Sequence, residues 1–434
     1  GLDRAGNYPP GNFPDGNSLA LDASGTAWQV AGDNFNLAVS AVAWQASDDL
    51  DNDGQPDAGA NLNDNRRTAN FYRDADGISN EYRIQLSVVG NQAQADGGVP
   101  GVLSADTLLN SNFTAPSPVG YGLIETRYNE VGIIDLAAAL VDSSGDPFEY
   151  LGTETIVGHV QNVGRFYPAR FDLTSRSLWP RVNSCMMVES DFTYMGEEFE
   201  VSVELTAVNR QGVITQNYRA GFANLSSVTQ MDFRAIEPID AADNEDRTDR
   251  LDNATVPTNL QPLWSADVAG VLQLVGNLVF NRDDPAIPDG PFPDMNITLL
   301  PVDSDGVTLD SSDLNVELVL NDPTFALLVE HDFRYGRLLI NNAYGPETED
   351  LAITFRVEYF DGERFILNVD DSCTIIEADE LSFVGTTYTP DLEAGDTTIV
   401  TPQTSTFFNG QIQGVQSAAN PTDATFTLTA PGEG

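Results

Sequence analysis

An all-β chain of tandem sandwich domains is predicted by three observations. Within Thr193 to Phe222, apolar residues alternate with polar ones at Phe199, Val201, Val203, Leu205 and Ala207, the period of a strand with one buried face. That stretch has an upstream counterpart. Val30 to Trp44 repeats its glycine, aromatic and alternation pattern (Gly32/Gly196, Phe35/Phe199, Val39/Val203), and the copies close in Thr68-Ala-Asn-Phe-Tyr and Thr215-Gln-Asn-Tyr-Arg. Third, Gly132 to Leu140 alone has a pattern that suits a helix, and its strand-like flanks make it a strand. Two copies of a sheet unit imply tandem domains, and the expected fold is a series of immunoglobulin-like β-sandwiches.

Taken in order, residues 1–26 are rich in Gly, Pro, Asn and Asp and read as an extended leading segment. A first sandwich over 27–164 starts with the strand around Val39, is interrupted by an acidic loop, and continues in Tyr82–Val89, Gly122–Tyr128 and Thr155–Val160. The second, 165–255, contains Thr193–Phe222, read as a β-hairpin about the turn Asn209-Arg-Gln-Gly212. The polar run Asp240 to Asn253 reads as a long loop or linker. A third sandwich, 256–378, has strands near Val271–Phe280, Asn315–Leu320, Arg337–Asn341 and Leu351–Tyr359, with Asp361-Gly362 as a hairpin turn. The segment 379–434 alternates Thr with apolar residues, is short for a free domain, and is expected to complete another sheet.

Acidic residues number 66 against 20 basic ones, and every basic residue is arginine, giving a net charge of −46 over 434 residues. Such a surface repels phosphate backbones and anionic membranes, which argues against nucleic acid as a partner and favours divalent cations. No run reaches the ~18 apolar residues of a membrane helix, so membrane insertion is not expected. The first residues lack a basic-then-apolar leader pattern, as in a chain whose signal has been removed or in a fragment. Cys185 and Cys373 stand alone, with no CxxC motif; they are either buried thiols or one long-range disulfide.

The sharpest chemical pattern is Asp49-Leu-Asp51-Asn-Asp53-Gly-Gln55-Pro-Asp57, inside the first acidic loop. Oxygen ligands at alternate positions, followed by a glycine that permits a tight turn, wrap a hard cation as the first half of an EF-hand loop does. Ala60 stands where the bidentate acid is usual, so Asp57 or Asp64 is expected to close the shell. Calcium is therefore the expected cofactor, with a solvated acidic turn as the alternative. Asp74-Ala-Asp76-Gly77 and Asp303-Ser-Asp305-Gly306 are weaker echoes and read as ordinary Asp-Gly turns.

Catalysis finds little support. His159 and His331 form no HExxH motif, and a chain without lysine has no P-loop, Schiff base or Ser-Lys dyad. Trp28, Trp44, Trp179 and Trp264, with Tyr344 and Tyr359, read as core anchors in preference to a sugar-stacking platform.

Seven phrases carry a family resemblance: Arg165-Phe-Tyr-Pro-Ala-Arg-Phe, Phe192-Thr-Tyr-Met-Gly-Glu-Glu-Phe, Gln216-Asn-Tyr-Arg-Ala-Gly-Phe, Phe333-Arg-Tyr-Gly-Arg-Leu, Asn341-Asn-Ala-Tyr-Gly, Val357-Glu-Tyr-Phe-Asp-Gly and Asp370-Asp-Ser-Cys-Thr. Together they resemble the C-terminal domain of unknown function of MshQ-like proteins, bacterial proteins encoded with the mannose-sensitive haemagglutinin type IV pilus. The resemblance implies an exported, extracellular β-rich protein of the pilus or cell surface, often with a lectin-like domain in front. Relatives of this kind typically continue past TLTAPGEG, so the chain is expected to be an internal fragment. The resemblance also makes Cys185 and Cys373 disulfide candidates. The expected function is a non-enzymatic adhesin or stalk stiffened by calcium, with pilus or cell-surface components as partners. The alternatives are a carbohydrate-binding or polysaccharide-acting ectodomain and a filament subunit that pairs with copies of itself through an edge strand or through Thr397–Thr429.

Overall fold

A computed structural model describes residues 20–43, 45–52, 57, 60, 65–68, 71–72, 81–113, 121–149, 156–181, 191–240, 243–252, 262, 264, 269–318, 323–342, 344–346, 348–377, 399–400, 404–408, 411–412 and 426–430. Among them the regular structure is strand, with short 3-10 turns between. The first unit contains β1 (Gln29–Val30), β2 (Asn34–Val39), β3 (Tyr82–Asn91), β4 (Thr107–Leu108), β5 (Gly122–Arg127), β6 (Gly132–Asp142) and β7 (Val157–Tyr167). One sheet has the order β1-β7-β6-β3-β4 and the other pairs β2 with β5. Alternation decides which face is buried: Ile84 and Leu86 of β3, Ile134, Leu136 and Leu140 of β6, and Phe35 and Leu37 of β2 share one core with Tyr128 and Phe166. Each such side chain contributes ~1.5–3 kcal/mol on burial.

The second unit runs through β8 (Arg170–Trp179), β9 (Phe192–Tyr194), β10 (Glu198–Val208), β11 (Met231–Asp240), β12 (Asp243–Asp246), β13 (Val271–Val279), β14 (Phe292–Pro301), β15 (Val316–Glu317) and β16 (Thr324–Arg334). Its larger sheet carries β12-β11-β14-β16, with β9 pairing β16. Read from the other side, β9-β16-β14-β11-β12 repeats the order β1-β7-β6-β3-β4, with β15 added as a further strand on β16. The smaller sheet, β13-β10-β8, matches β2-β5 with one strand added. The repeat extends to detail. In both units a short strand pairs in parallel with the last strand, β1 with β7 and β9 with β16. A glycine in the left-handed region then turns the chain, Gly32 at φ 87° and Gly196 at φ 92°. The tandem duplication read from the sequence is thus a duplication of topology.

The third unit follows as β17 (Gly336–Ile340), β18 (Leu351–Ile353), β19 (Phe355–Phe360), β20 (Phe365–Leu367), β21 (Ile375–Glu377), β22 (Ile399–Val400), β23 (Thr404–Phe408), β24 (Gln411–Ile412) and β25 (Phe426–Leu428). β24 pairs β19, and β25 pairs both β18 and β22, so strands from 379–434 complete sheets begun before residue 361. Asp361-Gly362 turns β19 into β20, as its sequence implied.

Three readings change. The boundary at 255 does not separate two sandwiches, because β10 pairs β13 and β11 pairs β14 across it. The polar run Asp240–Asn253 is not a free linker: β12 forms an edge strand on β11, and Arg250 is buried over Phe280 and Phe292 with its guanidinium on Asp289 at 2.6 Å. β10 forms no hairpin with the run after it. A single bridge, Val208 to Ile214, closes the Asn209–Gly212 turn, and β10 pairs with β8 and β13 instead.

Candidate functional site

The acidic loop springs from the end of β2. Asp49 is 2% exposed, and one carboxylate oxygen from each of Asp49, Asp51 and Asp57 lies within 4.8 Å of the others. Two oxygens bound to one calcium at ~2.4 Å are at most ~4.8 Å apart, so this set fits one hard cation. The backbone holds the set together. Leu50 N donates to Asp57 Oδ2 at 2.9 Å, Asp57 N donates to the Asp48 carbonyl at 2.6 Å, and Asn52 adopts a left-handed φ of 58°. Beneath it, Asn65 Nδ2 donates to Asp48 Oδ2 at 2.6 Å. Asp53, Gln55 and Asp64 lie outside the described residues, as do Asp74, Asp76, Trp44 and Cys185.

The second Asp-rich turn has another role. Asp303 Oδ1 accepts from Asp305 N and Val307 N, and its Oδ2 accepts from the Tyr218 hydroxyl at 2.7 Å. Asp305 receives both Arg165 guanidinium nitrogens together with Asn224 Nδ2. The reading of Asp303–Gly306 as a plain Asp-Gly turn misses this. The turn is one half of a buried clasp between the first two units, Arg165 coming from β7.

That joint has further contacts. Glu130, 3% exposed, accepts from Gln216 N and Asn217 N at 3.1 Å each. Burial pushes its carboxyl above the ordinary range, opposed by these backbone donors. Asn217 bonds Val99 in both directions, and Arg219 Nη1 donates to the Gly97 carbonyl. The Asn209–Gly212 turn sits on the Gly32 turn of the first unit: Arg210 N donates to the Ala31 carbonyl, Gln211 Nε2 to that of Gly32, and the Arg210 guanidinium pairs with Asp33. Ala93, Val131 and Ile133 enter the second unit's core beside Tyr218 and Phe222.

The joint to the third unit centres on Arg181. Its fully buried side chain reaches Glu197 at 2.8 Å, Asp371 at 3.2 Å and Thr374 Oγ1 at 2.5 Å, over the rings of Phe192 and Tyr194. Cys373 is also buried, with Arg181 Nη1 donating to its Sγ at 3.4 Å. Tyr194 donates to Asp371 Oδ2 and accepts from Asn368. Beside it, Arg334 bonds Asn368 and Asp370. Sequence reasoning singled out none of these arginines. One signal was present: in a lysine-free acidic chain, Arg165, Arg219 and Arg334 stand inside aromatic phrases, where guanidinium stacks and bonds at once.

The remaining candidates separate. His331 is buried between Phe199 and Phe333 with Nε2 2.8 Å from Thr193 Oγ1, and burial lowers its pKa to about 4. His159 is exposed on β7. Trp28 packs in the first unit's core and Trp264 against the second's, whereas Trp179 is half exposed and Tyr344 is exposed.

Sequence models of DUF6701 match in series: the second domain at residues 8–118, the third at 130–325 and the fourth at 334–434. The chain belongs to the DUF6701 family. No curated protein and no solved structure matches it. The DUF6701 domain limits and the sheets are offset: the third domain starts at β6, which pairs β3 of the second, and ends within β16, which pairs β14. The Arg181 clasp therefore joins the third DUF6701 domain to the fourth, and the Glu130 and Arg165 contacts lie within the span of the third.

Proposed function

We propose that the chain is a non-enzymatic stalk or adhesin of the bacterial cell surface, associated with a type IV pilus, in which calcium stiffens the first unit. The observation that carries this reading is the construction of the joints. Successive β-units meet through buried arginine–carboxylate clasps and shared apolar contacts, which fix one unit on the next as a stalk that transmits force requires. The resemblance of the aromatic phrases to MshQ-like proteins supports the pilus part of this reading. In this reading Asp49, Asp51 and Asp57 hold calcium with help from Asp53, Gln55 and Asp64, and a Cys185–Cys373 disulfide ties the buried Cys373 region to the segment after Arg181.

Thermal unfolding in calcium and in chelator tests the metal half. At calcium a hundredfold above its Kd the first unit gains ~2.7 kcal/mol, a rise of a few degrees that Asp49→Asn with Asp57→Asn abolishes. An unchanged melt in chelator removes calcium from the proposal. Immunogold labelling of the source bacterium tests the location, with label on pili or the outer surface expected and label confined to the cytoplasm counting against it.

A further inference from the structure

We infer that the outer face of the β13-β10-β8 sheet is a binding platform for an uncharged polysaccharide, with Trp179 as its stacking residue. Alternation builds the face. Phe199, Val201, Val203 and Leu205 of β10 enter the second unit's core with Leu272, Leu274 and Leu278 of β13, and Leu178 of β8 packs against it. The residues between them therefore point away from the core. Strand register lays these out in rows: Trp179, Glu200 and Asn277 form one, and Ser177, Ser202 and Val275 the next. Trp179 is 41% and Val275 46% exposed, so both hold apolar surface in water on an otherwise polar face.

The polar groups are set in advance. One row further, Glu204 accepts from Gln273 Nε2 at 2.9 Å and from Thr174 Oγ1 at 2.7 Å. At the Trp179 end, Asn277 Nδ2 donates to Glu198 Oε2 at 3.0 Å. Each carboxylate retains acceptor sites for further donors. Trp179 is held as well: just after it, Arg181 pairs with Glu197 at the start of β10, which ties the two strand ends together and limits the freedom lost on binding. These parts name the ligand. An indole face is flat and apolar and packs on the C–H face of a pyranose ring, while surrounding carboxylate, amide and hydroxyl groups bond the ring's hydroxyls. Strands ~4.8 Å apart and alternate residues ~6.8 Å apart make a face of ~10 by ~14 Å, room for a short run of sugar rings. The rows carry Glu200 and Glu204 without an arginine, in a chain of net charge −46, so sulfated and uronate polymers are repelled and an uncharged glycan is not. The platform belongs to the second unit and depends on neither calcium nor a pilus.

Affinity electrophoresis of residues 1–434 in chelator tests this, through gels holding laminarin, galactomannan, dextran or the uronate polymer alginate. At least one of the three neutral polymers should retard the wild type. Trp179→Ala, and Ser202→Arg in the middle row, should each weaken that retardation about tenfold, and Trp179→Tyr should recover most of it. Tyr344→Ala, at the exposed ring of the third unit, should change nothing. Both altered side chains lie outside the core, and melts matching wild type separate lost binding from lost fold. Retardation by none of the neutral polymers overturns the inference, as does retardation that both variants leave intact or that alginate alone produces. So does self-association that Trp179→Ala removes, since the occupant is then a second copy. A melt insensitive to chelator rejects the calcium reading and leaves this test standing.

Discussion

Arg181 holds a left-handed backbone φ of 49° and a fully buried guanidinium between Glu197 and Asp371. Burial alone raises the Asp371 pKa, but the Arg181 charge and the Thr374 and Cys373 bonds outweigh it and hold the carboxyl below its ordinary value. Arg181→Ala therefore leaves an uncompensated buried charge and is expected to cost ~3–5 kcal/mol in urea unfolding, with Arg181→Lys recovering a minor part. A loss under ~1 kcal/mol, the scale of an exposed pair, would mean the clasp is solvated. His331 contributes a pH dependence near neutrality. Its folded pKa of about 4 lies below the ordinary imidazole value of 6.5 because burial penalises the imidazolium. The unfolded state takes up the proton first, so this contribution is complete above pH ~6.5 and is lost as pH falls toward 4, by up to ~3 kcal/mol. The difference in unfolding free energy between wild type and His331→Gln should narrow over that window; a difference constant with pH contradicts it. Sequence showed Asp49, Asp51 and Asp57 because alternate spacing is local. Arg181 and Asp371 were invisible because their pairing spans the joint.

Local period served the elements well where one face is buried and failed where none is. β3, β5, β10 and β13 were legible from alternation, since each lays every second residue into a core, whereas β6 was legible only from its strand-like flanks. β12, Asp243–Asp246, was not. An edge strand needs only its backbone to pair, and its side chains are all polar. The Thr193–Phe222 segment was half legible: its strand and turn are present, but its expected partner strand is replaced by β8 and β13. The paired glycines offer a test at this scale. Gly32 and Gly196 share a positive φ and a place in the repeat, yet a Cβ at Gly32 meets Gln211 Oε1 at 2.3 Å and Arg210 N at 3.0 Å, whereas at Gly196 it meets nothing within 4 Å. Gly196→Ala should cost ~1 kcal/mol for the backbone alone, and Gly32→Ala should cost ~2–3 kcal/mol because the joint must also open. Equal losses in urea unfolding would show that the two turns do not touch in solution.

At the scale of the molecule, alternation gave the class and the repeat gave the existence of units, but not their limits. A break at 255 was drawn where a polar run met a change of pattern, and strands on its two sides pair throughout: Glu198 to Thr206 with Val279 to Val271, and Met231 to Ile236 with Pro301 to Asn296. Such pairings join residues ~60–80 apart, and period-two alternation marks a face without naming the neighbour. The chain should therefore fold as the sheets dictate. A fragment of residues 165–255 keeps β8 to β12 but loses β13, β14 and β16, and with them Leu272, Leu274, Leu278, Ile297, Leu299 and Phe333 from one core. Without those side chains, each worth ~1.5–3 kcal/mol on burial, the conformational entropy of the fragment is not offset. It should show no cooperative melt by circular dichroism, whereas residues 165–335, which hold β8 to β16, should melt in a single transition. A sharp melt of the shorter fragment would restore a domain boundary near 255 and demand that β10 and β11 be stable without the partners that flank them here.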